Sequence, residues 1–506
     1  MSAVLALLFA GQASLGGLPA STAECAALKA LQLPDVKITE AVAVPANTPA
    51  PVPASPFGPP PNISVAYCRV NGTVGREIRF TLLLPDQWNR KFMMGGGGGF
   101  VEGIDNQAIT SVNSGYATVG TDTGHQGRGV EASWALDNIE RQLNFGHLAI
   151  HRVAEASKAI IRARYNAAPA RSYFNGCSNG GRQALMEAQR YPDDFDGIVS
   201  GAPAYDFTGI AVQFIKDSQA AFPDKESRSK PLFPNDTLKS VETQIVAKCD
   251  ALDGVTDGLM EDPRRCTIDV SALTGLSDPQ KKALAAIYGE KKLPDGSVAY
   301  PPQPVGGEGD AALGWPLWIN GVNPMLQLAY KIPSLRFGFG TQFMKFFVFN
   351  DPEWDYLKYD FADYRGASKL AGSMLNATDP NLDAFKKRGG KLVLYHGWSD
   401  AALSALATTK YYEQVRARDA SASDFARLFM LPGVAHCAGG PGPDRVDWYS
   451  AIDNWVEKGQ APERIVASKE VQGKTTRTRP LCAYPLKAVY QGSGSIDDAA
   501  SFACKP

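Results

Sequence analysis

Gly176-Cys177-Ser178-Asn179-Gly180 fits the pattern G-x-S-x-G, a weak signal by itself. Its flanks give it meaning: a strand-like Ser172 to Phe174 precedes it and a helix-forming Gly181 to Arg190 follows. A strand, a sharp turn and a helix present a serine hydroxyl at the tip of the turn. Gly176 and Gly180 leave the turn the clearance it needs. Ser178 then stands at a helix N-terminus, where free N–H groups can stabilise an anion.

A serine attacks only if a base takes its proton. The chain has five histidines: His125, His147, His151, His396 and His436. In a fold that delivers serine, acid and histidine in that order, the first three are excluded. His436 follows the strand-like Ala426 to Leu431, and Asp400 ends His396-Gly-Trp-Ser-Asp400 at a strand-to-loop junction. The expected roles are attack by Ser178, proton transfer by His436, and orientation of His436 by Asp400. The tetrahedral oxyanion needs two N–H donors. Asn179 is one; the loop Gly95 to Gly99 offers the other, with Gly98 chosen among its five glycines. A phosphate-binding loop is the rival reading, but no Lys-Ser/Thr follows. Cys177 and Cys437 adjoin the nucleophile and the base. If Ser178 and His436 meet, a disulfide between these cysteines would clamp them together; two reduced, buried thiols are the alternative.

These residues need a scaffold, and the length of 506 residues allows a large core domain with a second domain or insertion. With 44% hydrophobic and 20% charged residues the chain reads as globular, and a net charge of -1 gives no footing for nucleic acid or an anionic membrane. No apolar run after the N-terminus is long enough to span a bilayer. Residues 1–23 are small and apolar like the core of a signal peptide, although the first lysine is Lys29; an ordinary buried helix is the other reading. Eight cysteines, an even number without metal spacing, suit an oxidising compartment, secreted or periplasmic. Sequons at Asn62, Asn71, Asn235 and Asn376 agree with that but are common by chance.

Short apolar runs at Arg79 to Leu84, Lys91 to Met94 and Tyr116 to Val119 read as strands, and Asn144 to Arg164 as a helix. Residues 44–61 are Pro-rich and extended. Strand–helix alternation stops after about Asp206, where turns, prolines and aromatics dominate. It resumes with Lys391 to Tyr395, Ala426 to Leu431 and the helix Trp448 to Lys458. The expectation is an α/β class chain: a mostly parallel sheet with helices on both faces, built from 24–205 and 378–506, with 206–377 as a lid domain.

Cys177-Ser178, Asp400 and His436-Cys437 together resemble the signature of the tannase/feruloyl esterase family, which includes mono(2-hydroxyethyl) terephthalate hydrolases. The glycine-rich loop, Gly-Cys-Ser-Asn-Gly-Gly-Arg (176–182), Ser200 to Ala204 and His396 to Asp400 extend the likeness over nearly the whole chain. The resemblance implies an α/β-hydrolase core with a large lid, and a serine esterase for aromatic acid esters such as gallate or ferulate. It also implies Cys25–Cys68, Cys249–Cys266 and Cys482–Cys504, which with Cys177–Cys437 uses every cysteine. In the lid, Asp250, Asp253 and Asp257 with the carbonyls of Val255 and Leu259 match a structural calcium site; a solvated Asp-Gly turn is the other reading.

The lid aromatics Trp315, Trp318, Phe337, Phe339, Phe343, Phe346, Phe347 and Phe349 could wall a flat acyl group or pack its core. Trp318 is the expected substrate wall, with His396 and Leu403 beside Asp400 also facing substrate. A terephthalate monoester carries a free carboxylate and asks for a lid cation, for which Arg336 is the nearest candidate. The alternatives are therefore a terephthalate monoester hydrolase, a peptidase or lipase on the same core, and a non-catalytic binding protein on a hydrolase scaffold. The substrate would be a small molecule; the oligomeric state is not legible.

Overall fold

The computed structural model describes residues 24–52, 59–321, 326, 328 and 330–506. The signal-like segment 1–23 lies outside the described residues. Strands β1 (Val36–Val44), β2 (Tyr67–Val74), β3 (Ile78–Pro85), β4 (Lys91–Gly95), β5 (Ala117–Thr121), β6 (Arg171–Cys177), β7 (Gly197–Gly201), β8 (Lys391–Gly397) and β9 (Ala426–Leu431) form one sheet. Their order is β1-β2-β3-β5-β4-β6-β7-β8-β9. The β5-to-β9 part is parallel, while β1, β2 and β3 run antiparallel at one edge.

The strands read as apolar runs because both faces of the sheet are covered. Side chains alternate across a strand. Phe92, Met94, Phe174, Ile198, Leu392 and Leu394 join one core with the helices α1 (Ala149–Tyr165) and α2 (Asn179–Arg190). Their neighbours Met93, Tyr173, Val199, Val393 and Tyr395 join another with Ile452 and Trp455 of the helix at Trp448–Lys458. The expected α/β class with a mostly parallel sheet stands. Sequence patterning does not reveal β1 and β2, whose half-exposed alternation lacks the continuous apolar runs of the central strands.

Segment 206–377 separates β7 from β8 in sequence. It is more helical than its prolines suggest, holding α3 (Phe207–Ala221), α4 (Asn235–Cys249), α5 (Asp278–Tyr288) and α6 (Leu335–Phe343). Val212 and Ile215 of α3 pack with Phe337, Phe343, Phe346 and Phe347, so several aromatics of this segment are core. Trp315 belongs to a second core of this segment, with α4 and α5. Four disulfides are present: Cys25–Cys68, Cys177–Cys437, Cys249–Cys266 and Cys482–Cys504, as expected. Among the described residues no helix is long and apolar enough to cross a membrane.

Candidate active site

Ser178 sits between β6 and α2 with φ 64° and ψ -123°, a conformation that non-glycine residues seldom adopt. The turn leaves no room at Gly176, where a Cβ would lie 2.5 Å from the carbonyl oxygen of Gly180. The N–H of Ser178 donates to the Gly201 carbonyl of the adjacent β7 (3.0 Å), anchoring the turn to the sheet. Gln107, which no sequence motif singles out, brackets it: the Cys177 N–H donates to its Oε1 at 2.7 Å, and its Nε2 donates to the Cys177 carbonyl at 3.3 Å.

Asp400 is buried just beyond β8. Its Oδ1 accepts the N–H groups of Ala402 (2.7 Å) and Leu403 (2.9 Å). Its Oδ2 meets His436 Nδ1 at 2.7 Å and His396 Nε2 at 3.0 Å. Burial by itself would raise the Asp400 carboxyl, but His436 and His396 hold it well below the usual carboxylate range. An ionised carboxylate only accepts, so His436 presents Nδ1–H and keeps the lone pair of Nε2 for a proton. Ser178 and His436 line one cavity, and the Cys177–Cys437 bond joins their neighbours.

His396 differs from its expected role. It is fully buried, its Nδ1 lies 2.8 Å from the Thr408 hydroxyl, and it does not line the cavity. Its place on β8, four residues before Asp400, directs it to the acid rather than to substrate. Trp318 and Leu403 do line the cavity. The Trp318 ring meets His436 edge-on, with centroids 4.9 Å apart.

Gly98 also departs from expectation. Its N–H donates to Asp105 Oδ2 at 2.9 Å, so it is already committed. Gly99 lines the same cavity, and among the described residues its N–H has no protein acceptor. Gly99 has φ 56°, and a Cβ there would lie 2.7 Å from the Gly129 carbonyl. Asn179 opens α2 and lines the cavity too; the first N–H groups of a helix have no intrahelical acceptor.

The cavity holds about 260 Å³. Cavities of about 150 Å³ accommodate benzene, so this one suits a single ring with a short arm. Its far walls are Phe207, Ile210 and Phe214 of α3 with Phe339 and Phe343 of α6. Arg336 stays outside: it is buried, paired with Asp217, and donates to Gln303 Oε1 at 2.6 Å.

The acidic loop at 250–259 is bound to itself and its neighbours. Asp250 accepts from Asp257 and Gly258, and Asp253 from Val255 and Glu261. Asp257 accepts the N–H of Leu259 and pairs with Arg479. Among the described residues no group of three or more His, Cys, Asp or Glu is gathered as a metal cluster.

Residues 63–505 match the family model described as "Tannase and feruloyl esterase". A mono(2-hydroxyethyl) terephthalate hydrolase of Piscinibacter sakaiensis is 32% identical, over 87% of this chain and 84% of that one. Feruloyl esterase B of Aspergillus niger is 30% identical, over 87% of each chain. The crystal structure of feruloyl esterase B from Aspergillus oryzae superposes with a TM-score of 0.85 at 26% identity, over 95% of this chain and 99% of that one.

Proposed function

Given that the chain belongs to the tannase and feruloyl esterase family, a family of carboxylic ester hydrolases, we propose that Ser178, His436 and Asp400 carry out the hydrolysis through an acyl-enzyme. The enzyme is a serine ester hydrolase for esters of aromatic acids. The observation that carries the residue assignment is the pair His436 Nδ1–Asp400 Oδ2 at 2.7 Å, with His436 lining the same cavity as Ser178.

In the first half-reaction His436 Nε2 takes the Ser178 proton as Oγ attacks the ester carbonyl, and Asp400 stabilises the imidazolium. The oxyanion is met by the N–H groups of Asn179 and Gly99, the latter replacing Gly98. His436 then passes the proton to the leaving alcohol, and water repeats the sequence on the acyl-enzyme. Trp318 and Leu403 contact the bound ester; His396 works behind Asp400, not on substrate.

Two further readings accompany this one. A calcium ion held by Asp250, Asp253 and Asp257 with the Val255 and Leu259 carbonyls fits the donor chemistry, since all are hard oxygens. The ion would hold the lid loop and would share Asp257 with Arg479. Secretion, or export to a periplasm, fits four disulfides, which persist in oxidising compartments.

The substrate test is hydrolysis of methyl ferulate, methyl gallate and mono(2-hydroxyethyl) terephthalate side by side. Cleavage of ferulate or gallate esters is the expected result. Turnover of the terephthalate monoester alone would replace phenolic esters by the alternative of the same family. No turnover of any of the three would overturn the aromatic-ester pocket.

A further inference from the structure

Charge is missing from the wall of the active-site cavity. Among the described residues that line it, none is Asp, Glu, Lys or Arg, and its only histidine is His436 of the triad. Positive charge nonetheless lies just behind the wall. Lys291 Nζ and the Arg336 guanidinium share the Asp217 carboxylate, with Lys291 at 2.8 Å; all three are buried. Two cations thus share one carboxylate. Arg336 also reaches the triad by a polar relay, since Gln303 accepts from Arg336 and donates to the Asp400 carbonyl at 2.8 Å.

What separates this cluster from the cavity is Phe214. Its ring is part of the cavity wall, and the Arg336 guanidinium carbon stands 5.6 Å from the ring centroid. The contact is a cation–π one and gives Arg336 a neighbour on its cavity side. A ring substituent directed at this part of the wall would therefore meet phenyl carbon and not guanidinium. An ionised carboxylate there would lose its water with no cation on the cavity wall in return.

We propose that the cavity selects by charge: it accepts the ring of an uncharged aromatic acid and rejects one bearing a second, ionised carboxyl group, and Phe214 sets this selectivity by screening Arg336. The proposal rests on the esterase reading above and narrows its substrate class.

The test compares methyl 4-methylbenzoate with monomethyl terephthalate, which share leaving group and approximate shape and differ in the para charge. Values of kcat/KM, each normalised to the ester's hydroxide-catalysed rate, are expected to favour the uncharged ester by about tenfold or more in the wild type. Phe214→Ala should cut that ratio by about threefold or more by opening a path to Arg336, and adding Arg336→Met should restore it. Melting curves report whether each variant folds. Should Phe214→Ala not fold, Phe214→Leu must move the ratio in the same direction.

Equal normalised rates in the wild type overturn the proposal while leaving the esterase reading intact. A ratio unchanged in a folded Phe214 variant that still cleaves the uncharged ester overturns the screening role. Absence of any turnover, methyl ferulate included, overturns the esterase reading itself and this proposal with it.

Discussion

Asp400 accepts four hydrogen bonds, two from backbone N–H groups and two from histidines, and this saturation explains how a buried carboxyl stays ionised. Asp400→Asn puts an amide where Nδ1–H of His436 needs an acceptor and so favours the wrong tautomer. Its kcat should fall by about 10⁴-fold, measured on methyl ferulate, with little change in KM. His125 gives a prediction of another kind. It is buried against Trp134, its Nε2 meets the Phe100 carbonyl at 2.6 Å, and burial lowers its pKa to about 4. A lowered histidine leaves the folded state unprotonated where the unfolded chain takes up a proton. The stability it contributes is full above pH 6.5 and is lost as pH falls toward 4. Between pH 7 and pH 5 this amounts to about 2 kcal/mol. His125→Gln should therefore show a smaller fall in melting temperature over that interval than the wild type. An identical fall would show that His125 does not titrate in this way.

Elements bring these residues together, and here the sequence is readable in some places and not in others. The central strands and α2 are legible because continuous apolar runs and a glycine-rich turn are compatible with few other local structures. The cavity wall on α3 is hidden although its signal is there. Phe207, Ile210, Ala211 and Phe214 follow the i, i+3, i+4, i+7 spacing of one helical face, within a segment that reads as turns. His396 is misplaced from sequence because the spacing shows that it adjoins Asp400, not which way its ring turns. Gly98 and Gly99 cannot be told apart by pattern, since five consecutive glycines carry no side chains; only the partner of each N–H separates them. At this scale the Cys177–Cys437 bond closes a separation of 260 residues between the nucleophile's strand and the base's loop. In the chain-entropy account that is worth about 5.6 kcal/mol. Cys177→Ala with Cys437→Ala should lower the melting temperature substantially and depress turnover; a double variant matching the wild type in both would remove the clamp from the account.

For the whole molecule, the cysteine pairing is the most legible feature: Cys177 and Cys437 adjoin Ser178 and His436, and the family resemblance implies the other three bridges. The charges of segment 206–377 are the least legible. Arg336 looks available for a substrate carboxylate in the sequence, yet Asp217 and Gln303 take it up within segment 206–377 and Phe214 covers it. The acidic lid loop is to be settled by elemental analysis of purified protein. About one calcium per chain, with a fall in melting temperature on chelation, is expected. Metal-free protein of unchanged stability would leave Arg479, among the described residues, as the cation against Asp257. The most direct test of the central claim is labelling with a fluorophosphonate, followed by mass spectrometry of the peptides. The account predicts one adduct, on Ser178, blocked by prior addition of methyl ferulate and absent in Ser178→Ala. An unlabelled but active enzyme, or an adduct on another residue that abolishes activity, would contradict it.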